Sequence, residues 1–223
     1  MNVEDLIESF RIESGDLARS EGGGQSDVLW CDDEIARWLT EAEEEAAIRK
    51  RLLPDEVSLP IAAPTRSYPF TSFFEITYAE LVPVSGDPII LKIVSRDAMN
   101  RIEPEWRRAT CKPAHLIQED VRIVLAGEVS QPCTLFLEGL RLPKEPLSPD
   151  VPAEPEIASV HHRFLLHWAL HRAYGIQDAE AFDAARSQRE LAAFERYFGL
   201  RPDADLRKDA RADVPHHCAA WWP

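Results

Sequence analysis

Residues 30–54 read WCDDEIARWLTEAEEEAAIRKRLLP and predict a long amphipathic helix. Glu34 stands where the glutamate of a capping box belongs, and Trp30 stands where a hydrophobic staple begins. Aspartates open the first turn and basic residues close the last, which complements the helix dipole, and Pro54 ends the helix. The positions of its inner face recur at steps of three and four residues, as one helix face requires: Ile35, Trp38, Leu39, Ala42, Ala46, Arg49 and Leu53.

Helices are also predicted before this segment and after Pro155. Residues 2–14 predict a short helix that ends at Gly15. Its apolar residues share one face: Val3, Leu6, Ile7 and Phe10. Pro155 suits the first position of a helix, and we expect this helix to run to Tyr174. Its predicted inner face consists of Ile157, Val160, His161, Phe164, Leu165, Trp168, His171 and Arg172.

A last helix is predicted from an N-cap at Asp178 to a stop at Gly199. Its predicted inward residues are Phe182, Arg186, Leu191, Phe194 and Phe198. Because two helices alone bury too little apolar surface, we expect the N-terminal and C-terminal helices to pack on each other.

The middle of the chain is rich in proline and β-branched residues and predicts short strands. We expect strands at residues 73–82, 89–94, 116–117, 121–125 and 134–140. Residues 84–88 predict a turn, and Ser95 predicts the cap of a short helix that runs to Ile102. Several short strands with regular turn signals are typical of a small antiparallel sheet or sandwich.

The order of these elements predicts an α+β fold. The N- and C-terminal helices form a helical bundle, a small antiparallel β-sheet or sandwich is inserted between them, and an extended C-terminal tail follows. Four segments are predicted: the N-terminal helices of the helical core at 1–58, the β-rich insertion at 59–150, the C-terminal helices that complete the core at 151–201, and the tail at 202–223.

The chain has 223 residues and a formal net charge of −14, and this charge is unevenly distributed. Residues 1–58 hold 16 acidic and 6 basic residues. The excess argues against an electrostatic nucleic-acid binder, because that class needs a basic face to displace phosphate counterions. Either the N-terminal helices present a solvated acidic face, or they form a surface that repels DNA or meets a basic partner.

Other features of the composition predict a protein without a membrane contact. No stretch approaches the roughly 18 consecutive apolar residues of a membrane span, and the acidic N-terminus lacks the regions of a signal peptide. The four cysteines have no regular spacing: Cys31, Cys111, Cys133 and Cys218. We therefore expect reduced thiols in the cytosol.

The sequence contains no G-x-S-x-G, S-x-x-K or H-E-x-x-H motif. One predicted helix carries four histidines: His161, His162, His167 and His171. These histidines either pack against neighbouring helices or bind a catalytic metal, which usually takes three protein ligands. In the tail, His216, His217 and Cys218 chelate poorly together, because adjacent residues of an extended chain point to opposite sides. We expect no cofactor and no metal.

Two adjacent tryptophans, Trp221 and Trp222, end a polar tail that has no periodicity. Exposed tryptophans lower solubility, and tryptophan is strongly enriched in binding hot spots. The pair therefore either anchors the tail on another subunit or partner, or folds back onto the chain's own core.

Two longer motifs carry a family resemblance. Residues 30–42 read W-x-D-D-E-I-x-x-W-L-x-E-A, and residues 155–174 read P-E-I-x-x-x-x-H-x-x-L-L-x-W-A-L-x-R-A-Y. Together with D-x-E-x-x-D at 178–183 and F-x-x-x-F-G at 194–199, the chain resembles the head-to-tail adaptor proteins of tailed bacteriophages. The resemblance covers nearly the whole chain, although the β region is similar only in character. Cys31 replaces the usual Ser or Thr cap of the family, so we expect a weaker helix start there.

The resemblance implies a non-enzymatic structural protein of the virion neck, present in the host cytoplasm during assembly. Adaptors of this family form a ring, usually of twelve copies, below the portal protein, and they provide a docking platform for tail or nozzle proteins. The ring extends the channel, and DNA passes through its lumen without sequence-specific binding. We expect the C-terminal segment to make the portal contact, through Leu206, Arg207, Arg211, His216, His217, Trp221 and Trp222.

Two alternatives stay open beside the portal adaptor. The first is another neck or tail protein, such as a tail-completion or terminator ring, which touches the tail tube instead of the portal. The second is a metal-dependent enzyme that uses the four histidines of the helix predicted at 155–174. The protein partner distinguishes the first alternative, and stoichiometric bound metal distinguishes the second.

Overall fold

The computed structural model describes residues 1–16, 28–151, 153–177 and 181–202. These residues form two compact units. The helical unit comprises Met1–Pro54 and Arg141–Arg201, and the sheet unit comprises Asp55–Leu140. Within the described ranges, five α-helices and two four-stranded sheets confirm the predicted α+β class. The predicted extended tail lies outside the described residues from residue 203 onward.

The helical unit is organised around one helix that contacts three others. The helices are α1 (Val3–Ser14), α2 (Asp32–Lys50), α3 (Arg96–Ile102), α4 (His162–Gly175) and α5 (Ala184–Phe198). Only α3 belongs to the sheet unit, and α4 packs against α1, α2 and α5. The core between these helices contains many aromatic side chains: Phe10, Trp30, Trp38, Tyr174 and Phe194. No helix among the described residues has both the length and the apolar character needed to cross a membrane.

The two N-terminal helices begin where predicted, but α2 ends earlier than predicted. In α1, the Asn2 side chain accepts a hydrogen bond from the Asp5 N–H at 2.7 Å, and Gly15 ends the helix with φ +80°. In α2, the Cys31 N–H donates to the Glu34 carboxylate at 3.1 Å, as a capping-box glutamate should.

Arg51 closes α2 with φ +59°, and Pro54, the predicted stop, instead opens a strand. The apolar residues predicted for both inner faces are buried, although Leu53 lies beyond the end of α2, and Arg49 is half-buried.

The helix predicted from Pro155 begins seven residues later than expected. A 3-10 turn at Ser159–His161 leads into α4, which starts at His162. The reason lies at Ile157, whose N–H donates to the Glu43 carboxylate at 3.1 Å and whose carbonyl oxygen lies 2.8 Å from the His162 ring. Both backbone groups of this residue bond to side chains, so neither takes part in a helical ladder.

The buried face of α4 is broader than the predicted stripe and is rotated from it. Val160 is 66% exposed and Arg172 is exposed, so their predicted inward positions are wrong. The buried residues are His162, Leu165, Leu166, Ala169, Leu170, Ala173 and Tyr174. Because three helices pack against α4, its apolar surface covers more of its circumference than a single-faced helix needs.

The last helix, α5, also starts later than predicted. Its N-cap is Asp183, whose carboxylate accepts the Arg186 N–H at 2.9 Å, whereas the predicted cap, Asp178, lies outside the described residues. Phe182 precedes the helix and is 49% exposed, so its predicted inward position is wrong. The two later phenylalanines are buried as predicted: Phe194 and Phe198.

Two sheets share one apolar core in the sheet unit. The strands are β1 (Pro54–Ile61), β2 (Ser67–Pro69), β3 (Glu75–Pro83), β4 (Ile89–Ile90), β5 (Lys92–Val94), β6 (His115–Gln118), β7 (Arg122–Ala126) and β8 (Cys133–Leu140). The strand order is β1-β8-β3-β4 in the first sheet and β2-β7-β6-β5 in the second. Core residues from both sheets include Leu81, Leu116, Ile123, Leu125, Leu135 and Leu137.

The single strand predicted at 89–94 is divided between the two sheets. β4 pairs with β3 in the first sheet, and β5 pairs with β6 in the second. Leu91 lies between them, is buried, and donates its N–H to the Ala79 carbonyl at 2.9 Å. The β5–β6 pairing is parallel, so the second sheet is mixed, whereas the sequence predicted antiparallel strands.

β1 and β2 were not predicted, because their prolines interrupt the strand pattern. β1 opens with Pro54, contains Pro60, and alternates exposed and half-buried residues up to the buried Ile61. Both strands lie at sheet edges, where a residue that lacks an N–H group is tolerated.

The second sheet is covered on both faces. One face joins the core between the sheets, and α3 with Trp106 lies over the other. The Ser95 hydroxyl accepts the Ala98 N–H at 3.1 Å, which is the predicted cap of α3. This arrangement explains why β7 reads as a continuous apolar run instead of an alternating one.

The first sheet is closely packed around Gly139 of β8. A Cβ atom there would lie 2.6 Å from the Glu75 carbonyl oxygen of β3 and 2.4 Å from the Phe73 ring. We expect Gly139→Ala to lower the free energy of unfolding by about 1–3 kcal/mol, since the backbone of a paired strand has little room to move. Urea unfolding measures this change. Thr134→Ala, at an exposed position of the same strand, should change stability by less than about 0.5 kcal/mol; equal stabilities of the two variants would contradict the close packing.

Candidate assembly surfaces

The residues predicted to contact a portal lie outside the described residues. They all follow Pro202: Leu206, Arg207, Arg211, His216, His217, Trp221 and Trp222. Their role stays a prediction. Within the described part of the chain, surfaces suited to assembly lie on the helices and on the first sheet.

Three of the four histidines connect α4, or the turn before it, to α5. Each ring lies within hydrogen-bonding distance of one α5 side chain: His161 of Tyr197 (2.9 Å), His167 of Glu190 (2.8 Å) and His171 of Ser187 (2.9 Å). Burial lowers the pKa of His161, which favours its neutral ring. Across the described ranges, no group of three His, Cys, Asp or Glu side chains is arranged to hold a metal ion. These histidines therefore serve as contacts between helices.

The P-E-I motif and His162 form a buried joint at the start of α4. Glu43, only 1% exposed in the middle of α2, accepts the Ile157 N–H, and the His162 ring contacts the Ile157 carbonyl. Glu156 pairs with Arg141 at 2.6 Å on the outside of the same joint. The second motif of the sequence thus encodes a structural connection between α2 and the segment that leads into α4.

Glu43 is an important residue that the sequence analysis missed. It lies next to Ala42 on the inner face of α2, and a glutamate among apolar residues on that face was the available signal. Burial raises the pKa of Glu43 to about 7. The backbone N–H groups of Ile157 and Glu156 favour the carboxylate and lower the pKa, but their effect is smaller than that of burial.

Charge is divided between the helices of the helical unit. α1 and α2 carry eleven acidic and four basic residues, whereas α4 and α5 carry two acidic and five basic residues. Several acidic side chains of α1 and α2 are exposed and form no ion pair with any described residue: Glu4, Glu8, Asp33 and Glu44. The acidic excess of the N-terminal segment therefore remains on the surface of the folded chain.

A groove of about 340 Å³ lies between α2 and residues 146–149. Its charged lining residues are Asp33, Arg37, Glu41 and Glu44, and its apolar lining residues are Ala36, Pro146, Leu147 and Pro149. The Leu147 N–H donates to the Thr40 hydroxyl at 2.9 Å, which holds the segment against α2. Glu41 also contacts Arg172 at 3.3 Å. We refer to this surface as the acidic groove.

The outer face of α5 carries small and basic side chains. Its exposed residues recur at helical spacing: Ala185, Arg189, Ala192 and Arg196. Neither arginine forms an ion pair among the described residues, because the glutamates of α5 are engaged elsewhere. Glu190 contacts His167 at 2.8 Å, and Glu195 contacts Arg49 at 3.5 Å. We refer to this face as the arginine stripe.

Exposed apolar side chains occupy the hairpin of β3 and β4. Val82, Val84 and Ile90 are 38%, 83% and 67% exposed. Gly86 allows the turn between the strands with φ +110°, a conformation that favours glycine. Apolar side chains grouped on one exposed hairpin are typical of a contact surface.

A family model described as SU10 adaptor protein matches residues 1–216. The chain belongs to this family of phage head-to-tail adaptors. The match spans both units and most of the tail, and it confirms the resemblance seen in the two motifs. A comparison with curated proteins finds no match.

The family gives this adaptor a place at the virion neck and contacts with portal and tail proteins. In the adaptor, the two motifs meet inside the helical unit. The Trp30 ring lies 6.4 Å from the Trp38 ring and 5.6 Å from the Tyr174 ring, between ring centroids. The residues that carry the family resemblance are therefore those that pack the N-terminal and C-terminal segments together.

Glu43 predicts a pH dependence of the adaptor's stability. Between about pH 4.5 and 7 the unfolded chain has an ionised Glu43 while the folded chain keeps the proton, so stability falls as pH rises through this window. The fall amounts to about 3 kcal/mol, or roughly 6–12 °C in melting temperature. Glu43→Gln removes this titration while keeping a carbonyl acceptor for Ile157.

Melting curves at pH 5 and pH 8 measure the difference. We expect the wild-type adaptor and the Glu44→Gln control to lose more stability between these values than Glu43→Gln, because Glu44 is exposed. The same pH slope in all three proteins would show that Glu43 does not titrate as its burial requires.

Proposed function

We propose that this adaptor assembles as a ring of twelve copies below the portal, extends the DNA channel and provides the docking platform for the tail. The observation that carries the proposal is the family match, which covers 216 of the 223 residues. The role is structural and non-enzymatic. The adaptor assembles in the host cytoplasm and then occupies the neck of the virion.

The exposed carboxylates of α1 support a position of this helix at the wall of the DNA channel. Glu4, Asp5 and Glu8 are exposed on this helix, while its apolar residues face the core. Carboxylates repel the phosphates of DNA, so such a wall lets DNA slide without sequence-specific binding. A basic wall would instead retain DNA by releasing its counterions.

The four predicted segments have different tasks in this proposal. Residues 1–58 and 151–201 form the helical core of the ring, and residues 59–150 form an insertion that carries subunit or tail contacts. The exposed apolar hairpin of β3 and β4 supports a contact role for the insertion. Residues 202–223 form the arm that reaches the portal.

The portal contact is proposed for the tail, with Trp221 and Trp222 as anchors. Five further residues assist them: Leu206, Arg207, Arg211, His216 and His217. Tryptophan and arginine are the residue types most often found in binding hot spots, and this segment contains both.

Native mass measurement of the adaptor, alone and mixed with the portal ring of the same phage, tests the proposal. A stoichiometric ring of adaptors bound to the portal supports it. A chain that ignores the portal but binds the tail tube would identify a tail-completion or terminator ring instead. A chain that carries stoichiometric metal after purification without a tag would favour an enzyme.

Replacing both anchors tests the tail contact. We expect the Trp221→Ala/Trp222→Ala adaptor to bind the portal ring at least about 30-fold more weakly, since a hot-spot residue contributes about 2 kcal/mol or more. The control, Ile12→Ala/Ile102→Ala, removes two exposed apolar side chains that are not part of the proposed anchor. Affinity is measured by titration against the immobilised portal, and unchanged binding of the tryptophan variant would refute the anchor.

A further inference from the structure

The portal contact proposed for the tail includes no residue of the acidic groove or of the arginine stripe. Both are exposed on the helical unit, and their charges are opposite. Asp33 and Glu44 of the groove form no ion pair among the described residues, and neither do Arg189 and Arg196 of the stripe. Four exposed charges of two signs are thus available to a partner.

Asp33 and Arg196 cannot neutralise each other within one copy. Asp33 lies in the first turn of α2, whereas Arg196 lies in the last turn of α5. The C-terminal ends of these two helices are adjacent, because Arg49 contacts Glu195 at 3.5 Å. Asp33 is 16 residues from Arg49 in the same helix, or about 24 Å at 1.5 Å per residue.

The shape and chemistry of the groove suit an arginine-bearing helix. The apolar lining, which includes Leu147 and Pro149, can cover the aliphatic part of an arginine side chain, while the carboxylates pair with its guanidinium group. Glu41 is already paired with Arg172, so the remaining charges of the lining are Asp33 and Glu44 against the single Arg37. The groove therefore keeps a net negative charge.

The stripe has the dimensions that such a contact needs. Arg189 and Arg196 are seven residues apart, about 10.5 Å along the helix, and Asp33 and Glu44 are eleven residues apart, about 16.5 Å. Both arginines therefore fit within the length of the groove. Ala185 and Ala192 alternate with them, and their small side chains allow the two helices to approach closely.

We infer that the arginine stripe of one copy docks in the acidic groove of the next copy around the ring. The partner is a second copy, because one chain carries both complementary surfaces. Since the two surfaces differ, the contact is head-to-tail, and repeated head-to-tail contacts close into a ring when the rotation permits it. The inference rests on the proposed ring and names the contact that builds it.

Charge reversal on either surface tests the contact. We expect Asp33→Lys/Glu44→Lys and Arg189→Glu/Arg196→Glu each to raise the adaptor concentration needed for half-assembly by at least about tenfold, because like charges then face each other. Native mass measurement over a concentration series gives this value. Wild-type assembly should also weaken between about 0.1 and 1 M salt, as the Debye length falls from about 10 to 3 Å.

Mixing the two reversed adaptors provides the decisive comparison. In an alternating ring, the lysine-bearing groove of one variant meets the glutamate-bearing stripe of the other, and the remaining contacts are wild-type. We therefore expect equal amounts of the two variants to form rings together, with equal numbers of each chain, although neither does so alone. A chain with all four substitutions should also assemble alone. This rescue shows that the variants are folded.

Two control variants carry the same charge changes elsewhere. Glu103→Lys/Asp120→Lys and Arg101→Glu/Arg108→Glu alter exposed residues outside both surfaces, outside α1 and outside the hairpin of β3 and β4, and we expect wild-type rings from each. If the groove and stripe variants also form wild-type rings, the inferred contact is wrong, while the proposed ring stands. Rings from these variants that no longer bind the portal would assign the surfaces to the portal instead, which also overturns the inference. A wild-type chain that stays monomeric with and without the portal would overturn the ring itself.

Discussion

The helical unit depends on how one buried carboxyl group is satisfied. Glu43 lies in the apolar interface of α2, where an unpaired polar group would cost more than most single contacts contribute. Its acceptor oxygen bonds to the Ile157 N–H, and His162 occupies the carbonyl of the same residue. This pair of bonds keeps residues 155–158 out of the helix and sets where α4 begins. The packing of α4 on α1, α2 and α5 starts from that point.

The acidic residues of the chain have three different environments in the fold. Glu43 is buried, and its pKa is raised to about 7 because burial disfavours its charge. Glu195 is paired with Arg49 between neighbouring helices. Glu8 and Glu44 are exposed and without ion pairs among the described residues. Only the exposed group contributes to the field at the surface, and a net charge of −14 by itself does not distinguish these environments.

In the sheet unit, the local sequence pattern does not predict which strands pair with each other. Residues 89–94 are uniformly apolar apart from Lys92, and this pattern is compatible with one strand. The chain divides them between two sheets at Leu91, because the Ala79 carbonyl takes its N–H and the shared core takes its side chain. β4 pairs with the neighbouring strand β3, whereas β5 pairs with β6, about twenty residues further along the chain. Local periodicity carries no information about such a distant partner.

Local signals in the sequence determined the helices of the N-terminal segment, the cap of α3, most strands and the family resemblance. Asn2, Glu34 and Ser95 act on backbone groups three residues away, so their effect can be read from neighbouring letters. Only the tertiary structure decided that α4 begins at His162, that the four histidines contact separate partners, and that an acidic groove forms beside α2. Each of these outcomes depends on side chains that lie far apart in sequence and meet only when the helices pack, such as Thr40 with Leu147.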